Sequence, residues 1–137
     1  MTNNIHASAI CVMGQGVLFL GDSGSGKSDM SLRMIAQYGA KLISDDRVDI
    51  KNVNNCLIAS APKSIQGLLE VRGVGIVDVP TIDQSEINIV VQLATSNIDR
   101  MPEKATYEIE GITLPFIKIN PFEASSTAKI LAALRLL

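Results

Sequence analysis

The most informative stretch of the chain is residues 16–28, which read GVLFLGDSGSGKS. Its first part, Gly16 to Gly21, is a short continuous apolar run of the kind found in strands buried on both faces. A glycine-rich loop follows at residues 22–26, and residues 27–38 carry methionines at four-residue spacing before Gly39. The stretch and its continuation therefore predict a central strand, a tight loop and a helix that stops at a glycine.

The loop matches the phosphate-binding pattern G-x-x-x-x-G-K-[ST] in the strand and helix context that this pattern requires. Backbone N–H groups and the positive end of a helix dipole attract phosphates, and Lys27 would add a full positive charge. Ser28 would offer its hydroxyl to the Mg²⁺ that accompanies nucleotide phosphates. Ordinary residue frequencies give about 0.005 chance matches in a chain of this size, which favours nucleotide binding. The predicted nucleotide-binding residues are Gly21, Asp22, Ser23, Gly24, Ser25, Gly26, Lys27 and Ser28.

Length and composition exclude several classes of protein. The 137 residues favour one domain, and 47% hydrophobic with 19% charged residues is unlike a disordered chain. The net charge of -2 without a basic cluster argues against a nucleic-acid partner. Apolar runs are too short for a membrane span, and residues 1–6 lack the features of a secretory signal. A cytoplasmic location is the expectation.

The remaining pattern predicts strands alternating with helices. Residues 41–50 form a predicted strand that begins apolar and becomes acidic near its end. Residues 87–93 predict another strand, and residues 107–119 a pair of strands. Residues 123–137 are rich in alanine and leucine and predict a C-terminal helix, with Ser125 or Ser126 available as its N-cap. The fold class is therefore α/β, with a mixed sheet.

Phosphoryl transfer also needs a group that accepts the proton of the attacking hydroxyl and a held metal ion. Asp45 and Asp46 are the first candidates, because an acidic pair at a strand end suits a position facing a phosphate loop. Neighbouring strand residues point to opposite faces, so only one of them easily faces the nucleotide. A solvated turn, or a salt bridge to Arg47, explains the pair equally well.

Two further acidic residues follow apolar segments. Period-two alternation places Glu70 and Arg72 on one strand face, where the pattern alone favours a surface ion pair over a metal site. Asp78 is the third candidate. His6, the only histidine, is an ordinary exposed side chain unless it lies beside a strand-end carboxylate. There it could position that aspartate or exchange a proton with it.

Taken together, the segments resemble the catalytic domain of the bacterial HPr kinase/phosphorylase family. The segments are residues 5–7 (IHA), 16–18 (GVL), 21–28, 42–48 (LISDDRV) and 69–76 (LEVRGVGI). The resemblance runs from about His6 to about Val79 and continues more weakly to the C-terminus. The long form of the family has an additional N-terminal domain, so residues 1–137 resemble the short form, a single catalytic domain.

The resemblance implies a phosphate-loop nucleotide-binding domain akin to phosphoenolpyruvate carboxykinase. Such enzymes transfer phosphate from ATP to a serine of HPr, the phosphocarrier of the sugar phosphotransferase system, and many reverse the reaction by phosphorolysis. Asp45 would take the serine proton with His6 as its catalytic neighbour, and Lys27 would neutralise the phosphates. Ser28 and Glu70 would hold Mg²⁺.

One departure concerns the family's basic Gly-Arg-Asn loop, which residues 119–123 (INPFE) replace here. The kinase reaction is therefore the main expectation, while phosphorolysis and the family's homo-oligomeric assembly stay open. Two other interpretations also stay open. One is a nucleotide-binding regulatory module without transferase activity. The other is a small-molecule kinase, which the short chain disfavours because it leaves little room for a lid.

Overall fold

The computed structural model describes residues 2–137, which form eleven strands, two α-helices and a short 3-10 helix at Lys63–Ile65. The helices are α1 (Lys27–Tyr38) and α2 (Ser126–Arg135). The strands are β1 (Asn3–His6), β2 (Ser8–Val12), β3 (Gln15–Leu20), β4 (Lys41–Ser44), β5 (Arg47–Val53), β6 (Cys56–Ser60), β7 (Leu68–Val71), β8 (Gly75–Asp78), β9 (Gln84–Leu93), β10 (Ala105–Ile109) and β11 (Ile112–Ile119).

Nine strands form one mixed sheet, which confirms the predicted α/β class. The order is β1-β5-β6-β9-β3-β2-β4, and β11 joins β9 and carries β10. Strand β9 is parallel to β3 and β11 and antiparallel to β6. The predicted central strand, β3, lies between β9 and β2, so its apolar residues meet neighbours on both faces.

Side chains of β3 alternate between two buried cores, as expected for a strand covered on both faces. Val17 and Phe19 pack on the helix side with Met30 and Met34 of α1. Leu18 points the other way, into a core that also contains residues of β5, β6 and β11. The sheet therefore packs against the helices on one face and against its own curled strands on the other.

The predicted first helix is confirmed. Helix α1 begins at Lys27 and ends at Tyr38, and Gly39 adopts a left-handed φ of 69° while donating its N–H to Ile35 O at 3.1 Å. Helix α2 begins at Ser126, and its N-cap is Ser125, one of the two predicted N-cap residues. The preceding residues form a turn in which the Ser126 hydroxyl donates to Glu123 O at 2.8 Å.

A single strand over residues 41–50 was a wrong prediction, because β4 ends at Ser44 and β5 begins at Arg47. Asp46 takes a left-handed φ of 68°, a conformation that aspartate tolerates better than most side chains. The turn is closed by the Arg47 N–H, which donates to Asp45 O at 2.8 Å. The acidic pair does lie at a strand end, as predicted.

Within residues 2–137, no helix has the length and apolar character needed to cross a membrane.

Candidate active site

The loop between β3 and α1 has a backbone that requires glycine at specific positions. A Cβ at Gly21 would lie 2.4 Å from Ser25 Oγ. Gly26, at the N-cap of α1, has a φ of 104°, and a Cβ there would lie 3.4 Å from Pro121 Cβ. Close packing at both glycines therefore fixes the course of the loop and directs it into the N-terminus of α1.

Lys27 lies buried under this loop, with 6% of its surface exposed. Its Nζ donates to Gly21 O at 2.7 Å and to Asp22 O at 3.0 Å. Burial lowers the pKa of Lys27 from its ordinary value, against the opposing effect of Asp46, Asp22 and Asp45. The ammonium group thus donates to two neutral carbonyl oxygens. A polyphosphate would be a stronger partner, because its oxygens are negatively charged.

Asp45 is buried, with 8% of its surface exposed, and it meets the phosphate loop directly. Its Oδ1 accepts hydrogen bonds from Ser28 Oγ at 2.8 Å and from Ser8 Oγ at 2.9 Å. The structure therefore brings together two predicted site residues, Asp45 and Ser28. Ser8 was missed from the sequence, where the only signal is a hydroxyl residue at the start of an apolar strand.

Asp46 has different surroundings from Asp45. His6 Nε2 lies 3.0 Å from Asp46 Oδ1, and the Asp46 side chain is 70% exposed. The Asp46 N–H donates to Ser8 Oγ at 3.3 Å. The histidine lies beside a strand-end carboxylate, as one sequence hypothesis required, but its hydrogen-bond partner is Asp46 and not Asp45.

Glu70 reaches the site from the separate β7–β8 hairpin, which packs on α1 through fully buried Leu69. Glu70 is exposed and lines the same cavity as Ser28. Among the ion pairs of residues 2–137, none joins Glu70 to Arg72 or an aspartate to Arg47. Asp78, at the far end of the hairpin opposite Leu68, does not line the cavity.

A cavity of about 500 Å³ connects these groups, a size typical of small-ligand sites. Of the residues singled out in the sequence, those on its wall are His6, Ser23, Gly24, Gly26, Lys27, Ser28, Asp46, Glu70 and Arg72. Gly21, Asp22 and Ser25 are not on the wall but build the loop beneath it, and Asp45 lies behind Ser28. Leu32, Pro121 and Phe122 also line the cavity and were not predicted.

The oxygen donors at the cavity suit Mg²⁺ that arrives with a nucleotide. Residues 2–137 contain no group of three or more His, Cys, Asp or Glu side chains arranged to hold a metal by themselves. Mg²⁺ usually keeps several waters and binds through one or two carboxylates together with substrate phosphates. The Ser28 hydroxyl and the Glu70 carboxylate, which both line the cavity, fit that incomplete donor set.

Comparison with known proteins identifies the family of the chain. The sequence model described as HPr Serine kinase C-terminal domain matches residues 1–135. A solved structure, the Hpr(Ser) kinase/phosphatase from Coxiella burnetii, superimposes with a TM-score of 0.85 at 30% identity. That match covers 98% of this chain and 95% of the other.

Curated relatives give the same result over a shorter share of their length. HPr kinase/phosphorylase of Mycoplasmopsis pulmonis is 35% identical, over 94% of this chain and 46% of the relative. The Clostridium acetobutylicum protein of that name is 40% identical, over 84% of this chain and 38% of the relative. The chain thus spans less than half the length of these relatives. The chain belongs to the HPr serine kinase C-terminal domain family.

Proposed function

We propose that this chain acts as the catalytic domain of an ATP-dependent protein-serine kinase whose substrate is HPr or an HPr-like phosphocarrier protein. The observation that carries the proposal is the hydrogen bond between Ser28 of the phosphate loop and buried Asp45. This bond joins the predicted phosphate loop, which lines the cavity, to a buried carboxylate directly behind it that can serve as a proton acceptor. The names of the relatives, HPr kinase/phosphorylase, support the choice of substrate. The phosphate loop and the likeness to the Coxiella burnetii structure support a nucleotide-binding fold of the phosphoenolpyruvate carboxykinase type.

The phosphate chain of ATP would lie against the loop at residues 21–28, at the positive end of α1. Lys27 would exchange its two carbonyl partners for phosphate oxygens and neutralise part of their charge. Mg²⁺ accompanying the nucleotide would be held by Ser28 and Glu70 and would neutralise more of that charge. The rest of the reaction depends on side chains of the protein.

Asp45 is the proposed proton acceptor. When Ser28 turns towards the nucleotide, Asp45 Oδ1 loses one of its two hydrogen-bond donors and can accept the proton of a substrate serine. The serine oxygen then forms a bond to the γ-phosphorus as the bond from that phosphorus to ADP breaks. Ser8, still bonded to Oδ1, would keep the carboxylate in place. In phosphorolysis, Asp45 would return the proton to the serine oxygen.

His6 and Asp46 would border the entrance for the carrier serine, because both line the cavity. Their 3.0 Å contact holds the Asp46 carboxylate next to the imidazole. We assign this pair a positioning role beside Asp45, in place of direct contact between His6 and Asp45.

We also propose a cellular location and an assembly state for the chain. A substrate of this kind and a need for ATP support a cytoplasmic location. We also propose homo-oligomeric assembly, as the resemblance implies, which sedimentation velocity of the purified chain would test directly.

The deciding experiment is transfer of labelled γ-phosphate from ATP to a serine of purified HPr. The proposal predicts incorporation that requires Mg²⁺ and is lost in Lys27→Ala. Incubation of phosphoserine-HPr with inorganic phosphate tests whether the reverse direction is retained. Nucleotide binding without any incorporation would contradict the kinase proposal.

Such an outcome would support the second candidate, a nucleotide-binding regulatory module. The observation in its favour is the replacement of the family's basic loop by residues 119–123.

A further inference from the structure

The loop that replaces the family's basic segment places an aromatic ring at the nucleotide cavity. Of the three phenylalanines, Phe19 is fully buried in the core. Phe116 stacks on Tyr107 with 5.7 Å between ring centroids. Phe122, in contrast, is 73% exposed, and it lines the cavity. A large apolar side chain left exposed at the wall of a ligand cavity suggests that a ligand covers it.

The backbone around Phe122 is fixed to the phosphate-loop helix. Arg33 of α1 donates from Nη1 to Ser126 Oγ at 2.8 Å and from Nη2 to Pro121 O at 2.5 Å. It therefore ties down the chain on both sides of Phe122. The Phe122 N–H also donates to Asn120 Oδ1 at 3.0 Å.

The position of the ring relative to the phosphate loop follows from Pro121. This proline stands against Gly26, where a Cβ would approach its ring carbons at 3.4 and 3.5 Å. Phe122 follows this proline in the chain and therefore lies near the start of α1, on the wall of the cavity that the phosphate loop also lines. Leu32 of α1 lines the same cavity and adds a second apolar group.

We propose that Phe122 is the platform on which the base of the nucleotide stacks, an inference that rests on the proposed nucleotide site. A flat aromatic ring stacks on a nucleobase without reading its edge. The bound triphosphate would extend from the loop, and the base would cover the ring that is exposed in the free protein. Because Arg33 holds the loop in place beforehand, little conformational freedom is lost on binding.

The test compares ATP with inorganic tripolyphosphate, which carries the phosphates and no base. Dissociation constants are measured by calorimetry with Mg²⁺ for the unaltered chain, Phe122→Ala and Phe122→Tyr. Phe122→Ala should weaken ATP binding about tenfold, within the roughly 5- to 150-fold range expected for loss of one stacked base. Its tripolyphosphate affinity should stay within about twofold of the unaltered chain, since the ring touches no phosphate.

Phe122→Tyr keeps a flat ring and should bind ATP normally. Met101→Ala, an exposed apolar control that does not line the cavity, should change neither ligand.

Fluorescence gives a second readout, because the chain contains no tryptophan. Phe122→Trp would place the sole indole at the platform. ATP and GTP should both change its emission, whereas tripolyphosphate should not.

Three outcomes would overturn the proposal. Equal weakening of ATP and tripolyphosphate by Phe122→Ala would mean that the ring shapes the phosphate loop. No change in either ligand, or a rise only in the KM for HPr, would mean that the ring faces another partner. Binding of neither ligand by the unaltered chain would remove the nucleotide site, and with it the proposed function as a whole.

Discussion

Asp45 and Asp46 are neighbours in the chain, yet their carboxylates have different surroundings. Asp45 is buried and accepts two serine hydroxyls, while Asp46 faces the cavity beside His6. The left-handed φ of 68° at Asp46 makes this divergence possible, because it turns the chain sharply between two strands. One dipeptide thereby supplies a carboxylate to the phosphate loop and another to the cavity entrance.

Because of Lys27, the affinity for ATP should decrease as the pH becomes alkaline. Burial lowers its pKa below the ordinary 10.5, while bound phosphates favour the charged form and raise that pKa again. As the pH rises through the lowered pKa, the free protein loses the ammonium charge. ATP affinity should therefore fall with rising pH, and each binding event should take up a fraction of a proton. Calorimetry in buffers of different ionisation enthalpy measures that uptake.

Lys27→Met is the control for this prediction. It should bind ATP weakly at every pH and show no such proton uptake. Uptake that persists in Lys27→Met would assign the titration to another group.

Ser8→Ala should destabilise the fold, because it removes one of the two hydroxyls that donate to a buried carboxylate. We expect a loss of about 1–3 kcal/mol in the free energy of unfolding, measured by urea denaturation. Ser64→Ala changes an exposed serine outside the cavity and should be nearly neutral. Equal stability of Ser8→Ala and Ser64→Ala would show that the Ser8 hydroxyl contributes nothing to holding Asp45.

For single residues, the sequence predicts those features of the site whose residues are adjacent in the chain. A phosphate loop could be predicted because its glycines, Lys27 and Ser28 form one uninterrupted pattern. Ser8 could not be identified, because its importance comes from a partner 37 positions away. The partner of His6 was equally hidden, since only the turn at Asp46 determines which carboxylate reaches the imidazole.

Helix α1 connects the phosphate loop to the segment ahead of α2 through one side chain. Arg33 forms an ion pair with Asp29 at 3.1 Å on its own helix and donates two hydrogen bonds across to that segment. The element that begins at the phosphate site thus also holds the wall that carries Phe122.

Arg33→Met should lower the free energy of unfolding by about 1.5–3 kcal/mol, the range for hydrogen bonds to a charged group. It should also weaken ATP binding, since the wall of the cavity loses its anchor. Arg100→Met, at an exposed position outside the cavity, is the matched control for chemical denaturation. If both variants unfold at the same urea concentration, Arg33 is not the anchor described.

Strand β3 approaches β9 too closely for a side chain at one point. A Cβ at Gly16 would lie 2.0 Å from the backbone oxygen of Glu86. Gly16→Ala should therefore cost about 3 kcal/mol or more in unfolding free energy, as severe overpacking against backbone does. Gly14→Ala has open space and only the strain of its φ of 76°, so about 1–2 kcal/mol is expected. Thermal denaturation of both variants tests the difference, and equal melting temperatures would contradict the close approach.

The ends of a helix or strand could be predicted where the residues that mark them lie close by in the sequence. Helix α1 was predicted correctly because its loop, its apolar spacing and its terminal glycine are all local. The break between β4 and β5 was missed, because two consecutive aspartates do not by themselves predict a left-handed turn. The start of α2 could be predicted because Ser125 and Ser126 are of the residue type that favours the N-cap, and Ser125 takes that position.

On the scale of the whole molecule, the cavity exists because the sheet order brings distant segments together. Its wall takes residues from the end of β1, the phosphate loop, the turn after β4, the β7–β8 hairpin and the segment before α2. Strands β4 and β5 are consecutive in the chain but belong to distant positions in the sheet. Composition and periodicity predicted an α/β domain, but strand order depends on long-range packing that local patterns do not encode.

The central claim is that Lys27 and Asp45 act on the same bound ATP, one on its phosphates and the other on the incoming serine. The most direct test is Asp45→Asn, measured for ATP binding and for phosphate transfer to HPr on the same preparation, with Asp99→Asn as an exposed control. We expect ATP affinity within about threefold of the unaltered chain and a transfer rate reduced at least about 100-fold, as for removal of a general base. Full transfer by Asp45→Asn, or its loss only in Asp46→Asn, would contradict the account.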